Sequence, residues 1–215
     1  MIATEDEARA WFRDDLKIDT MAETRLENFA DLLMQENARQ NLISKVSAAH
    51  LWTRHLADSA QLLRVPRGTS EGSDWLDLGT GAGFPGLVIA ICRPDVKVTM
   101  VDSRRLRADW LRSTATALGL NNAEVIQSRA ESLPSQKFAS ISARAFAPLD
   151  KLIAISARFS TPDTRWLLPK GARAEQELAM LSKNWHHTFH VEHSMTEAGA
   201  GIIMGHLLDS GGKRS

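Results

Sequence analysis

Trp75-Leu-Asp-Leu-Gly-Thr-Gly-Ala-Gly-Phe-Pro-Gly86 reads as a buried strand running into a glycine turn and then a helix. Trp75, Leu76 and Leu78 are strand formers, and Asp77 falls near the strand's end. Gly79, Gly81 and Gly83 permit backbone angles and a close approach by a ligand that side chains would block. Pro85 suits the first turn of the helix, where a missing N–H costs little. Strand, glycine turn and helix in that order open a βαβ unit, and the rest of the chain is placed relative to it.

Two ligands compete for the turn. Gly81-Ala-Gly83-Phe-Pro-Gly86 satisfies the G-x-G-x-x-G of dinucleotide binding, while Asp77-x-Gly79-x-Gly81-x-Gly83 is the acidic-first pattern of S-adenosylmethionine (SAM) binding. A pyrophosphate is held by free amides and the positive dipole end of a helix, so a carboxylate just before it has no obvious use. SAM carries an ammonium and a sulfonium, which a carboxylate suits. Asp77 therefore favours SAM. An Asp here also satisfies turn amides, in addition to or beside a ligand role.

At 215 residues the chain suits one domain with a helical appendage, long enough to bury a core. Its 43% hydrophobic and 24% charged residues are those of a soluble globular protein, and no apolar run approaches membrane-spanning length. Met1-Ile-Ala-Thr-Glu-Asp-Glu7 is acidic and lacks the basic-then-apolar order of a secretion signal. The single cysteine, Cys92, cannot make an internal disulfide and reads as a small buried hydrophobe. A cytoplasmic protein without membrane contact is expected. Its 26 basic and 26 acidic residues balance, which argues against holding nucleic acid by bulk charge alone but leaves room for a local basic face. Arg104, Arg105, Arg107 and Arg112 are one candidate face, Arg165, Lys170 and Arg173 another, with a short Lys213-Arg214 tail. Charge runs of this kind are also ordinary solvated helix faces.

Thr4-x-x-Glu7 and Thr20-x-x-Glu23 match the capping box and predict two N-terminal helices, the second packing Leu26, Phe29, Leu32 and Leu33 inward. A third is expected from Ser47 to about Leu63, bringing Arg54, His55 and Asp58 near one another, either as a substrate-side pair of His55 and Asp58 or as a surface pair. The stretch 64–73 reads as a loop separating an N-terminal helical extension, 1–66, from a core, 67–215. Strands are expected at Val96–Asp102, Ala123–Gln127, Phe138–Arg144 and Thr164–Leu168, with helices at Leu87–Ile91, Arg104–Leu118, Leu149–Phe159 and Ala172–Leu181. In the Arg104 helix, Leu106, Trp110 and Leu111 are expected inward, with Gly119 after its end. Trp185–Glu192 and Gly201–Leu208 read as a closing antiparallel hairpin. The alternation implies a mostly parallel sheet with right-handed crossovers.

Ligands of such sheets bind beyond the strand C-termini near the switch in strand order. That rule nominates Gly79 to Phe84, Asp102, Arg129-Ala130-Glu131, Arg144-Ala145-Phe146 and Lys170. Asp102 lies about 20 residues beyond Gly83, near the spacing of a ribose-binding acid. Ala130 and Glu131 would flank adenine. Arg144 suits planar recognition of a phosphate or base edge, or a structural ion pair. His186, His187, His190 and His193 divide between two faces of a strand, so no metal site is expected.

Asn41-Leu42, Arg54-His-Leu-Ala-Asp58-Ser59, Asp77 to Gly86, Arg93-Pro94, Asp102-Ser103, Ser128-Arg-Ala-Glu131, Ser142-Ala-Arg-Ala-Phe-Ala147 and Lys170-Gly171 together resemble the bacterial 16S rRNA guanine-N7 methyltransferase G family, also called glucose-inhibited division protein B. The resemblance runs from about residue 37 to 171. It implies a Rossmann-like class I SAM-dependent methyltransferase, with a mostly parallel twisted sheet, helices on both faces and the helical extension in front. SAM would be the cofactor and N7 of a guanine the target, in 16S rRNA, the small ribosomal subunit or its precursor, acted on by a monomer. Cofactor positions carried over are Gly79, Phe84, Ala130, Glu131 and Arg144, joining Asp77, Gly81, Gly83 and Asp102. His55, Asp58, Arg144 and Lys170 fall on the substrate side. N7 has a free lone pair and no proton to lose, so in-line attack needs no dedicated general base. Two rivals remain: an NAD-dependent oxidoreductase on the same βαβ unit, and a noncatalytic RNA-binding protein.

Overall fold

The computed structural model describes residues 1–64 and 74–209. The expected boundary between residues 66 and 67, most of the 64–73 loop and the Lys213-Arg214 tail lie outside the described residues. The chain opens with α1 (Glu5–Asp14) and α2 (Thr20–Gln40). Thr4 and Glu7 form the expected capping box. At α2 the expectation fails by one residue: Asp19, a stronger acceptor placed earlier, takes the Ala22 amide, and Glu23 pairs instead with Arg13.

The helix expected from Ser47 is broken into pieces. Ser44 caps a short α3 (Lys45–Ala48), after which come a π-helical turn (Trp52–Ala57), α4 (Asp58–Ala60) and a 3₁₀ turn (Gln61–Arg64). The interruption coincides with Glu5, whose carboxylate accepts the Trp52 and Thr53 amides and the Thr53 hydroxyl, each at 2.9 Å. An α1 side chain thus caps the second piece.

The sheet follows as β1 (Trp75–Leu78), α5 (Gly86–Cys92), β2 (Val98–Asp102), α6 (Arg105–Ala117), β3 (Ala123–Gln127), β4 (Ser140–Ala143), α7 (Leu149–Ser156), β5 (Arg165–Gly171), α8 (Ala174–Ala179), β6 (His186–His187), β7 (His190–His193) and β8 (Gly201–Asp209). Strand order is β3-β2-β1-β4-β5-β8-β6, parallel from β3 to β5, with β7 also paired to β8. The expected closing hairpin strand is two short strands, β6 and β7, both antiparallel to β8, with the break at Thr188-Phe189. The backbone at that break lies so close to β8 that only glycine fits at position 205, where a Cβ would lie 2.8 Å from the Thr188 carbonyl oxygen.

Alternation along the strands divides the core into two layers. Trp75, Val98, Met100, Leu167 and Ile202 face the cluster that includes Phe12, Leu26, Phe29, Leu87 and Leu111, so the N-terminal helices pack on the same side as α5 and α6. Leu76, Leu78, Val101, Ile141, Trp166 and Ile203 face α7 and Phe159 on the other. Leu106 does not turn inward; it is 70% exposed on α6, while Ala108, Trp110 and Leu111 supply the buried stripe. No helix of the described residues is long and apolar enough to cross a membrane.

Candidate active site

Strand order reverses between β1 and β4, and a cavity of about 400 Å³ opens there beyond the strand C-termini. Four strands send something to its wall: β1 leads into Gly79, β2 ends in Asp102, β3 leads to Ser128, Arg129, Ala130 and Glu131, and β4 to Ala145 and Phe146. Gly79, Asp102, Ala130 and Glu131 are thereby brought together from four sequence-separated segments. Arg104 and Arg107, from the start of α6, complete the rim.

The loop's geometry shows why glycines stand there. Gly79 and Gly81 have φ of +69° and +57°. A Cβ on Gly79 would lie 2.5 Å from the Phe146 ring, so side chain and ring exclude each other. Gly81 is different, with only Gly79 O and Arg107 Nη1 between 3.7 and 3.8 Å of its missing Cβ, which leaves its backbone open to a ligand. Its amide donates to Asp102 Oδ2 at 3.1 Å, and the Arg104 amide donates to Oδ1 at 2.8 Å. Asp102 therefore ties the glycine turn to the start of α6, and Arg107 stands 3.8 Å from its carboxylate. Gly83 faces Leu87 and Leu111 in the core, away from the cavity.

Asp77 does not reach the cavity. It is fully buried, Oδ2 accepting the Gly86 amide at 2.9 Å and Oδ1 the Ser142 hydroxyl at 2.7 Å, so its place is to tie β1 to β4 and to the start of α5. Burial pushes its carboxyl up against those hydrogen bonds. Ser142 in turn accepts from Trp75 Nε1 at 2.8 Å.

Phe84, Arg144, His55 and Asp58 form a second cluster next to the cavity. Phe84 is buried under the helical extension, stacked on His55 with ring centroids 4.9 Å apart and 14° between planes, and it touches Phe29. Arg144 lies over the Phe84 ring at 4.8 Å, 3.4 Å from Asp58 Oδ2 and 3.1 Å from His55 Nδ1. His55 and Asp58 thus meet at Arg144 rather than as a pair with each other. A guanidinium only donates, so Nδ1 accepts and the proton of neutral His55 sits on Nε2, which finds no partner among the described residues. Burial, then Arg144 and Arg54, lower the His55 pKa to about 3. Asp58 is moved up by burial against the pull of Arg144; its Oδ1 accepts from Gln61 and from Thr196. Thr196, far along the chain, carries no local signal that would have nominated it.

Lys170 is turned inward. Its Nζ donates to the Ala147 carbonyl at 2.7 Å and pairs with Glu177 at 2.9 Å, and Glu177 accepts the Leu149 amide. Its place is to hold the segment after β4. Cys92 is a thiol pushed up to about 12 by burial. Among the described residues no three His, Cys, Asp or Glu side chains gather to hold a metal.

The cavity fits SAM. Beyond the strand ends it offers two carboxylates, a glycine turn with an open backbone and a volume typical of small-molecule sites. Parallel β3-β2-β1-β4-β5 continued by the antiparallel β8, with this turn at the switch point, is the architecture of the class I SAM-dependent methyltransferases. Solved structures share the fold: a mutant of MtNAS in complex with S-adenosylmethionine has a TM-score of 0.57 at 15% identity, covering 95% of this chain and 89% of that one. A SAM-dependent methyltransferase from Aquifex aeolicus has a TM-score of 0.56 at 18% identity, covering 70% and 90%. Residues 22–205 match the family model described as rRNA small subunit methyltransferase G. Relatives of that name are 61% identical in Novosphingobium aromaticivorans, over 96% of this chain and 90% of the relative, and 50% identical in Erythrobacter litoralis, over 95% and 97%. The chain belongs to the rRNA small subunit methyltransferase G family. It is a SAM-dependent rRNA methyltransferase.

Proposed function

We propose that this chain methylates N7 of a guanine in 16S rRNA, by direct in-line transfer without a dedicated general base. SAM held in the cavity would supply the methyl group, the N7 lone pair forming the new C–N bond as the S–C bond broke and left its electron pair on sulfur. No proton moves, and the positive charge passes to the purine.

One observation carries the reading. Apart from Glu131, the acid in the cavity wall is Asp102, whose oxygens are both engaged by backbone amides, and no histidine, lysine or cysteine lines the wall among the described residues. A site so equipped aligns and stabilises charge rather than moving protons. Asp102 would hold the ribose, Ala130 and Glu131 the adenine, and the Gly79 turn the amino-acid end. Arg144, at the end of β4, stands beside the cavity with a guanidinium already aimed by Asp58 and His55. Arg104 and Arg129 are exposed on the rim without an ion pair among the described residues, which suits a polyanionic substrate. The guanine would enter unpaired or extruded, since RNA is read mostly outside its helices. The reaction then belongs to the cytoplasm.

Labelled SAM incubated with small subunits and with naked 16S rRNA, followed by nuclease digestion and mass spectrometry, tests this. Labelled 7-methylguanosine is expected. A different methylated nucleoside would overturn the N7 assignment, and no transfer to either substrate would overturn the whole reading.

A further inference from the structure

Phe146 has no place in the chemistry described so far. It is the aromatic residue in the cavity wall, partly buried against the core cluster on the α7 side, and it makes no ring–ring contact with another described aromatic. Its ring lies directly on Gly79. The segment that carries it is fixed on both sides. Ala145 before it adopts a left-handed φ of +52°, and Ala147 after it is held by Lys170. A bulky apolar ring is thus presented to the cavity by a backbone with little freedom.

Its position along the sheet says what it faces. Ala130 and Glu131 follow β3 and Phe146 follows β4, with the ends of β2 and β1 between them in the sheet order, and all three line the one cavity. A cofactor held with its adenine at Ala130 and Glu131, its ribose at Asp102 and its amino-acid end at Gly79 would bring its reactive end to β1 and β4, where the Phe146 ring lies against Gly79. N7 lies in the plane of the purine, so its lone pair is aimed at the methyl carbon only when the base plane is fixed. A phenyl ring fixes that plane by stacking and offers no atom that competes for N7. The methylated purine is a cation, and an aromatic face favours a cation over the neutral base.

We propose that Phe146 is the platform on which the target guanine stacks, and that its ring face stabilises the positive charge the purine acquires during transfer. This rests on the N7 reading above. The test is single-turnover methylation of small subunits at saturating SAM. Phe146→Leu, which keeps apolar volume, is expected to slow transfer roughly tenfold or more, with the Kd for SAM changed less than about twofold. Phe146→Trp should retain most of the rate. Phenylalanines with one to three ring fluorines at position 146 should slow transfer stepwise, because fluorine drains the ring face while keeping its shape. Wild-type rates in Phe146→Leu would overturn the platform, as would a Kd for SAM that weakens in step with the rate. A flat fluorine series would overturn the charge role. Failure of the wild-type protein to form 7-methylguanosine would instead strike the N7 reading itself.

Discussion

His55 shows how far a residue's role can depart from its local spacing. Three positions from Asp58, it suggests a pair, yet both side chains converge on Arg144, contributed from just beyond the end of β4. Burial holds His55 neutral, with a pKa near 3 against an ordinary 6.5. The unfolded chain binds a proton there between those values and the folded chain does not. Stability from this site is therefore complete above about pH 6.5 and is lost as the pH falls toward 3. His55→Gln is expected to flatten the pH dependence of urea-unfolding free energy between pH 6.5 and 4; an unchanged slope would show that the buried neutral histidine is not its source. Asp77 makes the companion point. Its pattern was legible as part of a SAM-type turn, but the choice between a ligand and turn amides depends on Ser142 and Gly86, one of them on another strand. Composition and spacing carry no such information.

At the scale of elements, regular periodicity was the reliable guide and competition between caps was not. The strands and the helices after β1 sit near their expected places because alternation and apolar stripes reflect which face is buried. The Ser47–Leu63 helix failed because an apolar stripe does not register a carboxylate arriving from α1. Glu5 also carries mechanical weight: it joins α1 to the turn that bears His55. Glu5→Ala leaves two partly buried amides without their acceptor, and a loss of about 1–3 kcal/mol is expected. Hydrogen exchange should show the loosening in residues 52–57, with β1 to β4 unaffected. Unchanged protection in 52–57 would show that the broken helix is held by its packing alone.

Over the whole molecule, the sheet and the cavity were the most legible features, because both follow from strand alternation and from the rule that ligands bind at the switch point. Gly79, Asp102, Ala130 and Glu131 were nominated as strand-end residues and do line one cavity. Phe84 and Arg144 do not line it; they belong to the joint between the helical extension and the sheet, which depends on contacts between distant segments. The charge balance of the chain likewise hides the arginines gathered at the cavity rim. That this cavity holds the cofactor is tested most directly by calorimetric titration of SAM into the wild-type protein and Glu131→Ala. Glu131 is exposed, so its removal should leave the fold and melting temperature intact. SAM is predicted to bind the wild type, NAD not to, and Glu131→Ala to weaken SAM roughly tenfold, about the value of one charge-assisted hydrogen bond. Equal SAM affinity in the two proteins would contradict the account by putting the adenine somewhere other than beside Glu131.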